Sequence, residues 1–163
     1  MHTWTNCGPI VMWRVEDLMG SAAYLDSNVL IYAFEGRNDR PLHRALAQLF
    51  RSSQERRINA RTSLLTRSEV LVRPLREGDA RLADWYRRLL SGRGAIGMLA
   101  VSRPIADGAA ELRAAMGSLR LPDALHLASA IKAGCDVLIT GDGRLATAAA
   151  RHMRSLTIKE LTA

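Results

Sequence analysis

Four acidic residues carry most of the chemistry that this sequence offers. Asp26 ends a short apolar run, Ala23-Tyr24-Leu25, and Asp142 stands in Gly141-Asp142-Gly143, just after Val137-Leu138-Ile139-Thr140. Asp123 falls in the first turn of an apolar helix opened by Pro122, and Glu69 lies within a helix that Thr62-Ser63 would cap. Two carboxylates about 4 Å apart repel by roughly 4 kcal/mol at an effective dielectric near 20. Convergence of all four is therefore costly unless a cation or a proton compensates it. An all-oxygen, water-accessible set suits Mg²⁺ or Mn²⁺ better than Zn²⁺. Such an ion activates water and neutralises charge on a phosphodiester.

Taken singly, each acid also fits a plain structural role. Asp26 would cap the helix beginning near Asn28, and Asp123 would complement a helix dipole. Glu69 would pair with Arg73 at i+4, and Asp142 would be an ordinary turn residue. Spacing alone leaves both readings open. His126, three residues after Asp123, suggests a general base, but so apolar a helix favours a packed or capping histidine.

The rest of the composition narrows the partners. The formal net charge is +7, and only Lys132 and Lys159 are lysines, so the positive charge is almost all Arg. Guanidinium forks match phosphate oxygens, which makes nucleic acid the first polyanion to consider. GC-rich coding would enrich Arg without any functional cause. Arg37, Arg40, Arg87, Arg88 and Arg93 fit phosphate contacts and fit solvated surface slightly better. Trp85 and Tyr86 fit core or dimer packing better than stacking on bases. Cys7 and Cys135 supply neither a ligand set nor a disulfide framework, so a reducing cytoplasm is expected. No apolar run is long enough to span a membrane.

The elements that must position the acids alternate between strand and helix. Short strands are expected at residues 23–25, 57–60, 98–101, 135–140 and 155–158. Helices are expected at about 28–35, 41–52, 64–74, 79–90, 102–116, 123–133 and 144–151. This order argues a parallel sheet covered on both faces, an α/β fold in one domain. Residues 1–21 read as an extension, with Met12 and Met19 as alternative translational starts.

The local wording around the acids resembles that of PIN domains, especially VapC toxins. Tyr24-Leu25-Asp26-Ser27-Asn28-Val29-Leu30-Ile31-Tyr32 is similar to their opening strand and turn, and Thr62-Ser63-Leu64-Leu65-Thr66-Arg67-Ser68-Glu69-Val70-Leu71 to their second block. Leu121-Pro122-Asp123-Ala124-Leu125-His126-Leu127-Ala128-Ser129-Ala130 resembles the third block and Val137-Leu138-Ile139-Thr140-Gly141-Asp142 the fourth. Gly141 departs from the pattern, since many relatives carry Asn there. The resemblance covers the domain assigned to residues 22–163 and implies a three-layer α/β/α sandwich with a mostly parallel central sheet.

It also implies a toxin of a type II toxin–antitoxin module: a Mg²⁺-dependent, or Mn²⁺-dependent, endoribonuclease with a VapB-type antitoxin as partner and a homodimeric state. Asp26 and Asp123 would be the main metal ligands, Asp142 would complete the site, and Glu69 would bind metal or orient water. Ser27 and Thr140 would hydrogen-bond the carboxylates, and Asn28 would steady the loop. The implied reaction is in-line attack on an RNA phosphodiester, leaving 5′-phosphate and 3′-hydroxyl ends. Two other readings are a catalytically silent PIN-fold module that binds RNA or antitoxin, and an aspartate-based phosphotransferase. The second usually requires Asp-x-Asp, where this chain has Asn28.

Overall fold

The structure, a computed structural model, describes residues 12–36 and 40–163. Cys7 and Arg37 lie outside the described residues. Five strands form one sheet: β2 (Ala22–Leu25), β3 (Asn59–Ser63), β4 (Gly97–Leu99), β5 (Val137–Thr140) and β6 (Arg154–Thr157). Their spatial order is β4-β3-β2-β5-β6, and every neighbouring pair is parallel. A smaller parallel pair joins β1 (Trp13–Arg14) to β7 (Leu161–Thr162).

Seven α-helices cover the sheet among the described residues: α1 (Ser27–Glu35), α2 (Arg40–Gln54), α3 (Leu64–Glu77), α4 (Ala80–Leu89), α5 (Arg103–Ala115), α6 (Leu121–Lys132) and α7 (Gly143–Ala149). The period of two along the strands sorts their side chains into two cores. Ala23 and Leu25 of β2, with Val137 and Ile139 of β5, join Val29, Leu46, Val70 and Tyr86 from α1 to α4. Tyr24 and Leu138 point the other way, into Ile105, Ala109, Leu127 and Leu145 from α5 to α7. Both faces are therefore buried, and the two central strands, β2 and β5, read as near-continuous apolar runs rather than as alternating ones. The expected three-layer α/β/α sandwich is the observed architecture.

Three departures from the sequence reading have physical causes. Strand β3 runs to Ser63 rather than ending near Ala60. Thr62 and Ser63 are buried there because their hydroxyls find partners: Thr62 donates to the Leu25 carbonyl (2.7 Å), and Ser63 accepts from Tyr24 (3.0 Å). Helix α7 is brief, ending at Ala149. Finally, part of the segment read as an extension is packed: Val15 and Leu18, on a short 3₁₀ turn after β1, are fully buried in the first core.

The topology creates the site. The chain enters at β2, in the middle of the sheet, moves outward through β3 and β4, then returns to the opposite side of β2 as β5. Such a reversal opens a crevice beyond the carboxyl ends of the two central strands. Leu25 of β2 pairs with Ile139 of β5, so the residues that follow them, Asp26 and Thr140, leave the sheet side by side.

Candidate metal centre

Asp26 is the hub. It sits at the N-cap of α1 and is only 3% exposed. Its Oδ1 accepts from the Ser27 amide (2.6 Å) and the Ser27 hydroxyl (3.1 Å); its Oδ2 accepts from Thr140 Oγ1 (2.6 Å) and Asn28 Nδ2 (3.2 Å). Burying a carboxylate is costly without such donors, and here they also fix its plane. Two engaged oxygens argue against Asp26 as a phosphoryl acceptor. Thr140 links two acids at once, because its Oγ1 also accepts from the Asp142 amide (2.9 Å).

Asp142 caps α7, its Oδ1 accepting from the amides of Arg144 (2.7 Å) and Leu145 (3.3 Å). The capping roles of Asp26 and Asp142 are therefore real, and they coexist with membership of the cluster. Gly141 lets the two loops meet. A Cβ there would lie 3.0 Å from Asn28 Cβ and 3.3 Å from Tyr32 Cε2, so this version of the loop has room only for glycine or for a shifted α1.

Glu69 does not pair with Arg73, which instead bridges Glu77 (3.0 Å) and Glu35 (2.6 Å). Glu69 Oε2 lies 2.9 Å from His126 Nε2, and the same nitrogen lies 3.3 Å from Asp26 Oδ1. His126 is 2% exposed, with Nδ1 2.9 Å from the Tyr24 hydroxyl. It is thus packed, as the apolar helix suggested, yet it also belongs to the site. The signal that pointed to it was its spacing: Asp123 and His126 share one face of α6 at i and i+3.

Oxygens of Asp26 and Glu69 and a nitrogen of His126 all lie within 4.8 Å of one another, close enough to hold one ion. Asp123 is partly exposed at the start of α6. Its carboxyl is raised above the ordinary range, first by burial and then by the charges of Asp142 and Asp26, against the smaller opposing pull of His126 and Arg120. Asp123 is therefore in electrostatic reach of Asp26 and Asp142, while Glu69 groups with Asp26 and His126.

Burial alone would raise the Glu69 carboxyl and lower the His126 ring. The hydrogen bond and charge between them outweigh it: Glu69 is held below its ordinary range, and His126 is raised, with Asp26 and Asp123 adding to the effect. Converging carboxylate oxygens and a ring nitrogen fit a divalent cation. The donor set differs from the expected one in including an imidazole nitrogen.

Most of the chain, residues 23–151, matches the family model of the PIN domain. The chain belongs to the PIN-domain family. Solved structures agree with the fold. A toxin–antitoxin complex from Klebsiella pneumoniae is 29% identical, with a TM-score of 0.55 over 74% of this chain and 87% of that one. The Mycobacterium tuberculosis toxin VapC20, described as cleaving the sarcin–ricin loop, is 17% identical, with a TM-score of 0.63 over 78% and 95%. FitAcB from Neisseria gonorrhoeae is 18% identical, with a TM-score of 0.60 over 84% and 98%. No curated protein matches the chain. In this PIN domain the acidic crevice sits where the sheet reverses direction. Among the described residues no helix is long and apolar enough to cross a membrane. Trp85 and Tyr86 pack rather than project. Tyr86 is fully buried with its hydroxyl donating to Glu35 (2.6 Å), and Trp85 packs against Phe34 at 4.2 Å between centroids with the rings tilted by 59°.

Proposed function

We propose that the protein is the toxin of a type II toxin–antitoxin module, an endoribonuclease dependent on Mg²⁺ or Mn²⁺. The observation that carries the reading is the buried Asp26 carboxylate, held by four donors and facing Glu69, with Asp123 and Asp142 in electrostatic reach. Asp26 and Asp123 would be the principal ligands of the cation, with Asp142 and Glu69 completing the site. When bound, the ion supplies water activation and charge neutralisation at the phosphodiester.

This chain's own residues do the rest. Ser27, Asn28 and Thr140 lock the Asp26 carboxylate so that it need not reorganise as the ion binds. Glu69, partly exposed and hydrogen-bonded to His126, would bind the ion or orient an attacking water. The Arg excess would hold the RNA backbone.

The antitoxin reading draws on the neighbours, several of which are toxin–antitoxin complexes. It draws also on apolar side chains exposed on the first helices: Tyr32 and Phe34 on α1, Val72 and Leu75 on α3. A VapB-type partner would cover these and direct an Arg at the acids. Homodimerisation and a cytoplasmic location belong to the same reading.

The test is RNA cleavage by the purified chain. Cleavage is expected with Mg²⁺ or Mn²⁺, abolished by chelation and by Asp123→Asn, with antitoxin binding retained in that variant. A wild type that binds RNA or antitoxin but cleaves nothing in either metal would instead be a silent binding module.

A further inference from the structure

His126 brings a nitrogen into what the sequence presents as an oxygen site. The hydrogen-bond chain behind it fixes which way that nitrogen faces. The Tyr24 hydroxyl has one proton, and it donates it to Ser63 Oγ at 3.0 Å. Its lone pair is then left for the proton on His126 Nδ1, 2.9 Å away. In the metal-free site Nε2 bonds Glu69 Oε2 at 2.9 Å through a ring proton, with Asp26 Oδ1 3.3 Å away. A cation that takes the place of that proton would meet the ring nitrogen and both carboxylates at once.

The two separations from Nε2, 2.9 and 3.3 Å, are close to what a metal requires. With ligand bonds of about 2.1 Å in an octahedron, adjacent donor atoms sit roughly 3.0 Å apart. Metal-bound histidines also commonly donate their other ring N–H to an oxygen, which fixes the tautomer; Tyr24 fills that role here. Its phenol stays protonated, since the ring is fully buried.

We propose that His126 Nε2 is a direct ligand of the cation, beside Asp26 and Glu69, and that the centre consequently takes Mn²⁺ in preference to Mg²⁺. The preference follows from the donor: imidazole strengthens binding of transition ions, whereas Mg²⁺ favours oxygen. This rests on the reading above, that the acidic cluster binds a divalent cation.

The experiment uses the full-length, metal-stripped chain loaded with Mn²⁺, read by pulsed electron paramagnetic resonance for ¹⁴N modulation and by calorimetric titration with Mn²⁺ and Mg²⁺ separately. The expected result is ¹⁴N modulation from a coordinated imidazole, with Mn²⁺ bound more tightly than Mg²⁺. His126→Gln should remove the modulation and weaken Mn²⁺ about tenfold or more, with a smaller effect on Mg²⁺. Tyr24→Phe should keep the modulation with weakened Mn²⁺. Asp26→Asn should lose the bound ion, which assigns the signal to this site even if the His126 variant does not fold. Mn²⁺ bound in an Asp26-dependent way without ¹⁴N modulation would overturn the role of His126 and leave the acidic metal site standing. Absence of binding by either ion at millimolar concentration would overturn both.

Discussion

Thr140→Val isolates the contact on which the crevice depends. The substitution keeps the branched shape and removes only the hydroxyl. That hydroxyl is fully buried, donates to Asp26 Oδ2 at 2.6 Å and accepts from the Asp142 amide at 2.9 Å. Losing a charge-assisted hydrogen bond costs about 1.5–3 kcal/mol, and leaving a buried group unpaired costs about 1–3 kcal/mol. Partial exposure of Asp142 lets water soften the second loss, so the sum is set at about 2–4 kcal/mol. For a chain of this size, 1 kcal/mol corresponds to about 2–4 °C in Tm. Urea unfolding of the metal-free protein should therefore show the loss, with Tm falling by roughly 6–12 °C for a 3 kcal/mol effect. Thr140→Ser keeps the hydroxyl, loses one methyl and should cost only about 1 kcal/mol. If valine proved no more damaging than serine, the claim that this hydroxyl stabilises the Asp26 carboxylate would be wrong.

Other outcomes follow from the same structure. Starting the chain at Met19 removes Val15 and Leu18 from the core, at about 1.5–3 kcal/mol each, so it should be far less stable to urea than a chain starting at Met12. Glu35, with a nearly buried side chain, holds both Arg73 and Tyr86. Arg73→Ala should lower the unfolding midpoint more than Glu77→Gln, because it strips the nearly buried Glu35 of an ion-pair partner whereas Glu77 lies on the exposed side of the same arginine. Burial pushes the Cys135 thiol up to about 11, so roughly 0.1% is thiolate at pH 8. In a Cys7→Ser background its labelling by a thiol reagent should be slow in the folded protein and accelerate tenfold per pH unit until near pH 11; rapid labelling at pH 8 would contradict the packing. RNA affinity should fall steeply with salt, because phosphate contacts release counterions; a flat response would remove the arginines from the interface.

The order of strands and helices was legible because periodicity reports burial directly. Ala23-Tyr24-Leu25 and Val137-Leu138-Ile139 read as strands covered on both faces, which they are, and the acids at their ends were singled out by the wording around them. The polar end of β3 was not legible. Ser63 does stand at the N-cap of α3, but its hydroxyl and that of Thr62 bond the Tyr24 hydroxyl and the Leu25 carbonyl across the sheet instead of the helix end. The pairing of β1 with β7 was likewise hidden, because two-residue strands leave no periodic trace.

The sequence by itself determined the covalent supply of the site: Asp26, Glu69, Asp123 and Asp142, the Thr-Gly-Asp turn, and apolar strands that must lie inside a layered fold. Only the tertiary structure decided how they share charge. The sheet reverses at β2 and β5, which brings Asp26 and Thr140 together although 114 positions separate them. Packing α6 over that junction turns His126 inward against Tyr24, Asp26 and Glu69. A buried imidazole between two carboxylates depends on the meeting of β2, α3 and α6, and no local pattern encodes contacts between segments so far apart. The four acids are a property of the chain; the mixed oxygen and nitrogen site is a property of the fold.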